Sequence, residues 1–349
     1  MSRKSMLSLW VKSVTSSVAA LASASTKRAV RSLIQVTNPV ARHTRATKGE
    51  CLVGLAIGVT GAQRYRLYRP SGLKPGETVP LLVMLHGCRQ DAISFAEITR
   101  MNRVATKGRF LVLYPQQDRT VNAQGCWNWY DTKSGTAYDE ASLIMAAIDQ
   151  VCLQYPADPA RIAVAGLSAG ASMAALLATR YAGRFKAVIM HSGVPVGSAN
   201  STRTALAAMR GRSRLMSVKT PIENSDHLPP LLVIQGKADT LVAAANGRTS
   251  ALRWAEATNA HEGSPRVVQT PGRYAMTVSD FKCDARTMVQ LVSIDQLGHA
   301  WSGGAAGLPF SDAQGPDASR MVWAFAAKQF GVRSTILQHK LPTQAPLRA

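Results

Sequence analysis

Short apolar runs and amphipathic stretches alternate along most of this chain of 349 residues. The apolar runs end at Gly, Pro or polar residues, which is typical of strands buried on both faces of a sheet. Strands are predicted over residues 63–68, 79–85, 110–114, 161–165, 186–190, 231–235 and 289–294. Helices are predicted over residues 95–107, 140–153, 171–178, 252–258 and 318–330. Strands separated by helices predict an α/β fold, with a mostly parallel central sheet and helices on both faces.

The first 49 residues form a segment of their own, with nine Lys or Arg residues and no Asp or Glu. Apolar residues recur there at helical spacing, which predicts a basic amphipathic helix or a disordered arm that binds a surface. The basic start and the small residues at 22–24 also resemble a secretory signal, although Lys12 interrupts the apolar stretch. We expect a secreted protein, extracellular or periplasmic. The alternative is a cytoplasmic, granule-associated protein.

The rest of the chain is predicted to form one α/β domain over residues 50–332, followed by a C-terminal tail over residues 333–349. Residues 193–228 are rich in Ser and Arg and contain no clear strand pattern. We expect them to be an insertion above the sheet, in the position of a lid.

The chain is strongly basic, because 41 Lys and Arg against 20 Asp and Glu give a net charge of +21. A charge of this size makes nucleic acid a partner to consider. Zinc-finger spacing, an aromatic RNA-binding motif and a recognition helix are all missing from the sequence, so nucleic acid is not expected. We expect instead a basic surface that is attracted to an anionic surface or granule. Apolar runs of 18 residues are also missing, so no transmembrane span is predicted.

The five cysteines are Cys51, Cys88, Cys126, Cys152 and Cys283. None of them forms a CxxC pair, so neither a zinc site nor another metal or cofactor is predicted. Cys152 lies in an apolar helical run and is predicted to be a buried thiol. A disulfide between Cys88 and Cys126 is an option if the protein is exported. The sequence leaves this pairing open.

The most informative motif is Gly166-Leu167-Ser168-Ala169-Gly170, which follows an apolar strand and precedes a helix-forming run. This context is typical of a nucleophile elbow, in which a strained turn exposes the serine hydroxyl. The flanking residues must be small because the strand and the helix pass close together. Ser168 is therefore the predicted nucleophile.

A serine nucleophile needs a base and an acid that orients the base, and in this type of site both follow the serine in the chain. Asp239 comes just after the buried strand at residues 231–235, where catalytic groups gather in open α/β sheets. His299 follows the strand at 289–294 and lies among small residues. Other acids fit less well, because they precede the strand, flank a cysteine in a predicted turn or lie too close to His299: Asp226, Asp280, Asp284 and Asp295.

The developing oxyanion needs two hydrogen-bond donors, and backbone N–H groups usually supply them. One is predicted to be the N–H of Ala169, and the other the N–H of Cys88, after the buried strand that ends in His86-Gly87. Three aromatic residues near these motifs are predicted to line a cleft for an apolar substrate: Trp127, Trp129 and Trp301.

Together these residues resemble the esterases related to short-chain poly(3-hydroxybutyrate) depolymerases, whose fold and triad feruloyl and acetylxylan esterases share. The resemblance covers roughly residues 60–330. It rests on five motifs in one order: Leu85-His86-Gly87-Cys88, Gly125-Cys126-Trp127-Asn128-Trp129-Tyr130, Ala165-Gly166-Leu167-Ser168-Ala169-Gly170, Gly236-Lys237-Ala238-Asp239 and Gly298-His299-Ala300-Trp301-Ser302-Gly303-Gly304.

The resemblance implies an α/β-hydrolase fold and a metal-free serine esterase for short-chain acyl esters. Polyhydroxybutyrate or its 3-hydroxybutyrate oligomers are the expected substrate, and feruloyl or acetylxylan esters are the alternative. It also implies the triad Ser168, Asp239 and His299, and that many relatives are exported. The basic N-terminal segment motivates a hypothesis of another class, a granule- or surface-binding protein whose triad is vestigial.

Overall fold

The computed structural model of the protein describes residues 49–212 and 227–332. The predictions for the N-terminal segment, for the C-terminal tail and for residues 213–226 of the insertion lie outside the described residues. The described strands are β1 (Gly49–Gly58), β2 (Gly61–Pro70), β3 (Val79–Leu85), β4 (Leu111–Pro115), β5 (Ala157–Leu167), β6 (Ala187–His191), β7 (Leu231–Gly236), β8 (His261–Glu262), β9 (Arg266–Val268), β10 (Met276–Cys283), β11 (Arg286–Ile294), β12 (Trp301–Ser302) and β13 (Ser311–Asp312). The described helices are α1 (Ala92–Thr99), α2 (Met101–Gly108), α3 (Thr136–Gln154), α4 (Ala169–Arg180), α5 (Thr202–Met209), α6 (Ala245–Ala257) and α7 (Ala318–Gln329).

One large sheet organises the domain, in the order β1-β2-β4-β3-β5-β6-β7-β11-β10-β8, and β9 also pairs with β10. The six strands from β4 to β11 run parallel to their neighbours. Antiparallel pairs close both ends, with β1 and β2 at one end and β10 with its partners at the other. The mostly parallel central sheet is therefore confirmed.

Helices bury both faces of this sheet, which produces two apolar clusters. In β3, Leu81, Val83 and Leu85 belong to the cluster on one face, while Leu82 and Met84 belong to the cluster on the other. Because side chains alternate between faces along a strand, a strand covered on both sides must be apolar throughout. This requirement explains the unbroken apolar runs in the sequence.

The structure has elements that the sequence patterns did not predict, among them β1, β8, β9, β10 and α5. Two explicit predictions also differ from it. The predicted helix over residues 95–107 is two helices, α1 and α2, because Arg100 adopts a left-handed conformation with φ of 51°. The Arg100 side chain donates hydrogen bonds of 2.6 Å to the Gly303 carbonyl and 2.9 Å to the Gly304 carbonyl, which holds the break in place. Asp280 lies inside strand β10 rather than in a turn.

The carboxyl ends of the parallel strands position the candidate site. Ser168 follows β5, His191 ends β6, Asp239 follows β7 and His299 follows β11. The loop containing Cys88 follows β3, the neighbour of β5. Because carboxyl ends of parallel strands share one edge of the sheet, residues distant in sequence meet there.

Candidate active site

Ser168 lies in the sharp turn between β5 and α4, with φ of 57° and ψ of −121°. A positive φ is costly for a residue with a side chain, so the surrounding structure must impose it. The two flanking glycines show how tight the turn is. A Cβ atom at Gly166 would overlap the backbone of Gly170, and one at Gly170 would overlap the Leu85 carbonyl. The elbow therefore needs glycine at both positions.

Backbone hydrogen bonds fix this turn from both sides. The Ser168 N–H donates to the His191 carbonyl (2.9 Å), and the Ser168 carbonyl accepts from the N–H groups of Ala171 (3.0 Å) and Ser172 (3.1 Å). The Ser168 hydroxyl has no hydrogen-bond partner among the residues that the structure describes. This hydroxyl stands at the start of α4, half-buried rather than enclosed.

Asp239 and His299, which are 60 residues apart in the chain, are in direct contact. His299 Nδ1 donates to Asp239 Oδ2 over 2.8 Å. The other carboxylate oxygen accepts from the N–H groups of Val242 (2.8 Å) and Leu241 (3.0 Å). Burial raises the pKa of Asp239, but the His299 contact and the two N–H groups outweigh it, so this pKa lies below its usual value. Asp239 is thus a charged, fixed acceptor that orients the imidazole.

Close backbone contact brings the two loops of this pair together. The Ala238 N–H donates to the Leu297 carbonyl (3.1 Å), and the Lys237 N–H donates to the Ile294 carbonyl (2.9 Å). A Cβ atom at Gly236 would overlap the Leu297 carbonyl, so only glycine lets the loop before His299 pass so near the end of β7.

His191 connects the elbow to the loop that follows His299. Its backbone carbonyl holds Ser168, while its Nε2 accepts the Ser302 N–H (3.2 Å) and its ring stacks on Trp301. Nδ1 therefore carries the proton and donates to the Ser192 hydroxyl (3.2 Å). Burial, assisted by the charge of His299, lowers the pKa of His191 to about 3. This neutral ring thus connects Ser168 to the loop that follows His299.

The loop after β3 lies beside the serine on the other flank. An added Cβ atom on Gly87 would lie 3.4 Å from Ser168 Cβ, so the two backbones are in close contact. Gly87 donates its own N–H to Gln90 Oε1 over 2.7 Å. Within the described residues, the N–H groups of Cys88 and Ala169 have no hydrogen-bond partner. In the part of the chain that the structure describes, both predicted donors thus lie next to the elbow without a protein partner.

A disulfide joins Cys88 to Cys126, the pairing that the sequence left open. It links the loop carrying one predicted oxyanion donor to the loop carrying Trp127 and Trp129. Cys152 has a free thiol and is half-buried in α3 rather than fully enclosed.

The predicted aromatic lining is not found for two of its three residues. Trp127 and Trp301 are 0% exposed, and Trp129 is 8% exposed. Trp301 packs edge-on against Phe95, and its indole N–H donates to the Ser319 hydroxyl (3.1 Å). Trp127 and Trp301 thus support the loops from inside the core, because neither has surface with which to contact a substrate in this structure.

Sequence reasoning missed a polar network behind the Cys88 loop. His86 Nδ1 donates to the Gly87 carbonyl (2.9 Å), and its Nε2 accepts the Gln117 N–H (3.1 Å). Burial lowers the pKa of His86 to about 4, so the ring is neutral. Gln117 and Asn128 converge on the buried carboxylate of Glu140. The sequence does contain a signal for this network. Glu140 lies one helical turn from Ala137 and Ile144, so a charged residue occupies the apolar face of the helix.

Residues 49–212 and 227–332, which the structure describes, contain no group of three His, Cys, Asp or Glu side chains placed to bind a metal ion. They also contain no helix with the length and apolar character that crossing a membrane requires.

Comparisons with known proteins agree with this geometry. A family model described as Esterase PHB depolymerase matches residues 63–261, a range that includes Ser168 and Asp239 and ends before His299. A poly(3-hydroxyalkanoate) depolymerase C of Paucimonas lemoignei is 28% identical over 240 residues, which are 66% of this chain and 56% of that protein. A feruloyl esterase B of Neurospora crassa is 33% identical over 128 residues, which are 35% of this chain and 43% of that protein. The chain thus spans about half the length of these relatives.

A solved structure shares the fold. The acetyl xylan esterase from Aspergillus awamori has a TM-score of 0.52 at 20% identity, over 68% of this chain and 89% of that one. At this level of identity the similarity shows the fold alone. The predicted α/β-hydrolase fold is confirmed.

Proposed function

The chain belongs to the Esterase PHB depolymerase family, and we propose that it is a serine ester hydrolase acting through Ser168. The observation that carries this proposal is the strained turn at Ser168 after β5, together with the Asp239–His299 pair in the loops after β7 and β11, at the same edge of the sheet. A strained serine turn alone would be a structural peculiarity. The oriented imidazole of His299 follows β11, and the order Ser, Asp, His is that of α/β-hydrolases. Together these residues supply the nucleophile, base and acid that acyl transfer requires.

The reaction follows from these positions. Ser168 Oγ attacks the ester carbonyl carbon and gives its proton to His299 Nε2, which is unprotonated when Nδ1 donates to Asp239. The N–H groups of Cys88 and Ala169 stabilise the oxyanion that forms. The ester C–O bond breaks, the alcohol leaves with the proton from His299, and an acyl-enzyme remains. Water then loses a proton to His299 and attacks the acyl group, which releases the acid and restores Ser168.

We propose polyhydroxybutyrate or its 3-hydroxybutyrate oligomers as the substrate. The relative of greatest coverage among those above, a poly(3-hydroxyalkanoate) depolymerase, supports this choice. A feruloyl- or acetylxylan-type activity is the alternative, supported by the feruloyl esterase B relative. Both substrate classes use the same acyl chemistry, so the triad does not distinguish them.

A panel of esters separates these alternatives. One purified sample is assayed on 3-hydroxybutyrate oligomers, amorphous polyhydroxybutyrate, feruloyl esters and acetylated xylan, beside p-nitrophenyl butyrate. We expect the highest kcat/KM on the 3-hydroxybutyrate oligomers. A higher value on either carbohydrate ester would replace the polyester substrate. Ser168→Ala should be inactive on every ester, and Ser142→Ala, a serine of α3 away from the elbow, is the matched control.

A binding protein with a vestigial triad is the competing function, motivated by the basic residues 1–49. A fluorophosphonate probe distinguishes the two, because it labels only an activated serine. Labelling of folded protein at Ser168 supports the hydrolase. If no label is incorporated, and deletion of residues 1–49 abolishes salt-sensitive association with granules, the binding function replaces it.

We further propose that the protein is exported. The Cys88–Cys126 disulfide supports this location, because such bonds persist mainly in oxidising compartments. Thiol titration of protein taken from each cell fraction tests the proposal. We expect the disulfide-bonded form outside the cytoplasm. An active protein found only in the cytoplasm with Cys88 and Cys126 reduced would contradict it.

A further inference from the structure

Glu140 is a carboxylate enclosed by the domain, with 5% of its surface exposed. It projects from α3 and accepts three hydrogen bonds: from Gln117 Nε2 (2.6 Å), from Asn128 Nδ2 (2.6 Å) and from the Asn128 N–H (2.8 Å). Burying a carboxylate is costly unless strong donors compensate it. Burial raises the pKa of Glu140, although these donors oppose the shift. A domain that retains such a group needs a reason for it.

The partners of Glu140 lead to the loop that carries the predicted oxyanion donor. Gln117 donates its backbone N–H to His86 Nε2 (3.1 Å) and its side-chain amide to the Cys126 carbonyl (3.0 Å) as well as to Glu140. One residue thus joins the carboxylate to both loops that flank the disulfide.

These contacts close a ring. Cys88 is bonded to Cys126, the Cys126 carbonyl is held by Gln117, and Gln117 holds His86, two residues before Cys88. The Arg89 N–H adds a bond of 2.7 Å to the Gln124 carbonyl. Apart from the disulfide, the ring is made of hydrogen bonds, and Glu140 anchors their shared donor to a long, rigid helix.

We propose that Glu140 is a positioning residue of the oxyanion hole, which acts through Gln117 and Asn128 to hold the Cys88 N–H where the substrate oxyanion forms. The inference rests on the proposed function, because an oxyanion hole has a role only if Ser168 attacks an ester. The chemistry of the site explains why a carboxylate is used. An ionised carboxylate accepts all three donors without a proton of its own competing for space, and charge-assisted bonds are shorter and stronger than neutral ones.

The test is Glu140→Gln, which keeps the shape of the side chain but replaces one acceptor oxygen with a donor. Removing a single oxyanion donor costs about 10²–10³ in kcat, and a donor displaced by a fraction of an ångström should cost less. We expect kcat on p-nitrophenyl butyrate to fall about 10- to 100-fold. KM should change by less than about twofold, because the lost interaction forms in the transition state.

A thionoester provides a readout that a merely structural role would not change. Sulfur accepts hydrogen bonds poorly, so the oxyanion hole contributes much less to hydrolysis of the thiono analogue of p-nitrophenyl butyrate. In the wild-type protein the ester should be strongly preferred. In Glu140→Gln this preference should shrink about 10-fold or more, because mainly the ester reaction loses its donor.

Two further variants serve as a control and as a second test. Asp139→Asn removes the same charge from the same helix outside the ring, and it should leave both reactions unchanged. Gln117→Met removes the shared amide but keeps the backbone N–H that His86 accepts. It should reproduce the loss of preference, and it replaces Glu140→Gln as the test if that variant does not fold.

The outcomes separate this inference from the proposed function. A wild-type protein that hydrolyses neither substrate would overturn the esterase itself. If the wild type is active and the folded variant loses ester and thionoester hydrolysis equally, or loses neither, the positioning role of Glu140 is overturned while the esterase stands.

Discussion

The two flanks of Ser168 are held by different means. On the base flank, Asp239 and His299 meet through backbone hydrogen bonds and a glycine contact, with the neutral ring of His191 beside them. On the oxyanion flank, a disulfide and a buried carboxylate fix the loop of Cys88. In the proposed reaction the first flank passes a proton during each turnover, whereas the second only holds a donor still. Substitutions on the two flanks should therefore change activity and stability in different ways.

The largest effect is expected on the base flank, from Asp239→Asn. An amide at this position cannot hold His299 in the same tautomer, so kcat should fall about 10⁴-fold while folding is preserved. The measurement is steady-state hydrolysis of p-nitrophenyl butyrate with thermal unfolding beside it.

Asp295→Asn is the control for this comparison, because Asp295 also follows a strand end but forms an exposed ion pair with Lys237. It should keep nearly full activity. An equal loss in the two variants, or a loss below about tenfold in Asp239→Asn, would remove Asp239 from the triad.

Between the flanks, Gly170→Ala should be severely destabilising, because its Cβ atom would overlap the Leu85 carbonyl and the backbone cannot move without displacing β3. We expect a loss of more than about 3 kcal/mol in the free energy of unfolding, measured by urea denaturation. Gly298→Ala is the control for stability, since no atom lies within 4 Å of its added Cβ atom. Equal stability of the two variants would show that the elbow is looser than described.

Removing the disulfide tests the oxyanion flank. The double variant Cys88→Ala with Cys126→Ala opens a loop closed over 38 residues, which should lower the unfolding free energy by about 3–4 kcal/mol. It should also lower kcat more than it changes KM, because the Cys88 backbone loses its covalent tie. Cys283→Ala, which removes a free thiol, should do neither. Unchanged kcat in the stable fraction of the double variant would show that hydrogen bonds alone position the loop.

The smallest effect per residue is a pH dependence common to both flanks. His86 and His191 are neutral in the folded protein, with pKa values lowered to about 4 and about 3, whereas unfolded histidine titrates near 6.5. The unfolded chain therefore binds more protons below pH 6.5, and stability falls as the pH falls. Between pH 6.5 and pH 5 the loss should be about 1.6 kcal/mol for each histidine.

The raised pKa of Glu140 acts in the opposite direction, since its folded form holds a proton more readily than the unfolded one. Urea denaturation at several pH values measures the net slope. In His86→Gln, the dependence of the unfolding free energy on pH should decrease by the contribution of one histidine. A wild-type stability that rises on acidification from pH 6.5 to pH 5 would contradict the neutral, buried histidines.

The difference between the flanks also separates what the sequence could predict from what it could not. Local patterns specify the elbow, because a strand, two glycines and a helix lie within a few residues of Ser168. The positions of Asp239 and His299 after strands were predictable, since each lies in the loop that follows a clear apolar run. The sheet places these strand ends side by side without further information.

Contacts made across the fold were not predictable in the same way. The pairing of Cys88 with Cys126 and the role of Glu140 depend on where two loops meet α3, which no local pattern contains. The same reason applies to Trp127 and Trp301, whose aromatic character suggested a cleft although the fold encloses both. Arg100 breaks a helix because its side chain reaches the carbonyls of Gly303 and Gly304, about 200 residues later in the chain.

Ester hydrolysis through Ser168 requires an acyl group to form on this residue. The measurement is mass spectrometry of protein that is acid-quenched during hydrolysis of p-nitrophenyl butyrate and then digested. We predict a butyryl group on the peptide that contains Ser168, and no adduct in Ser168→Ala. An adduct on another residue, or full ester hydrolysis by the Ser168→Ala variant, would show that Ser168 is not the nucleophile.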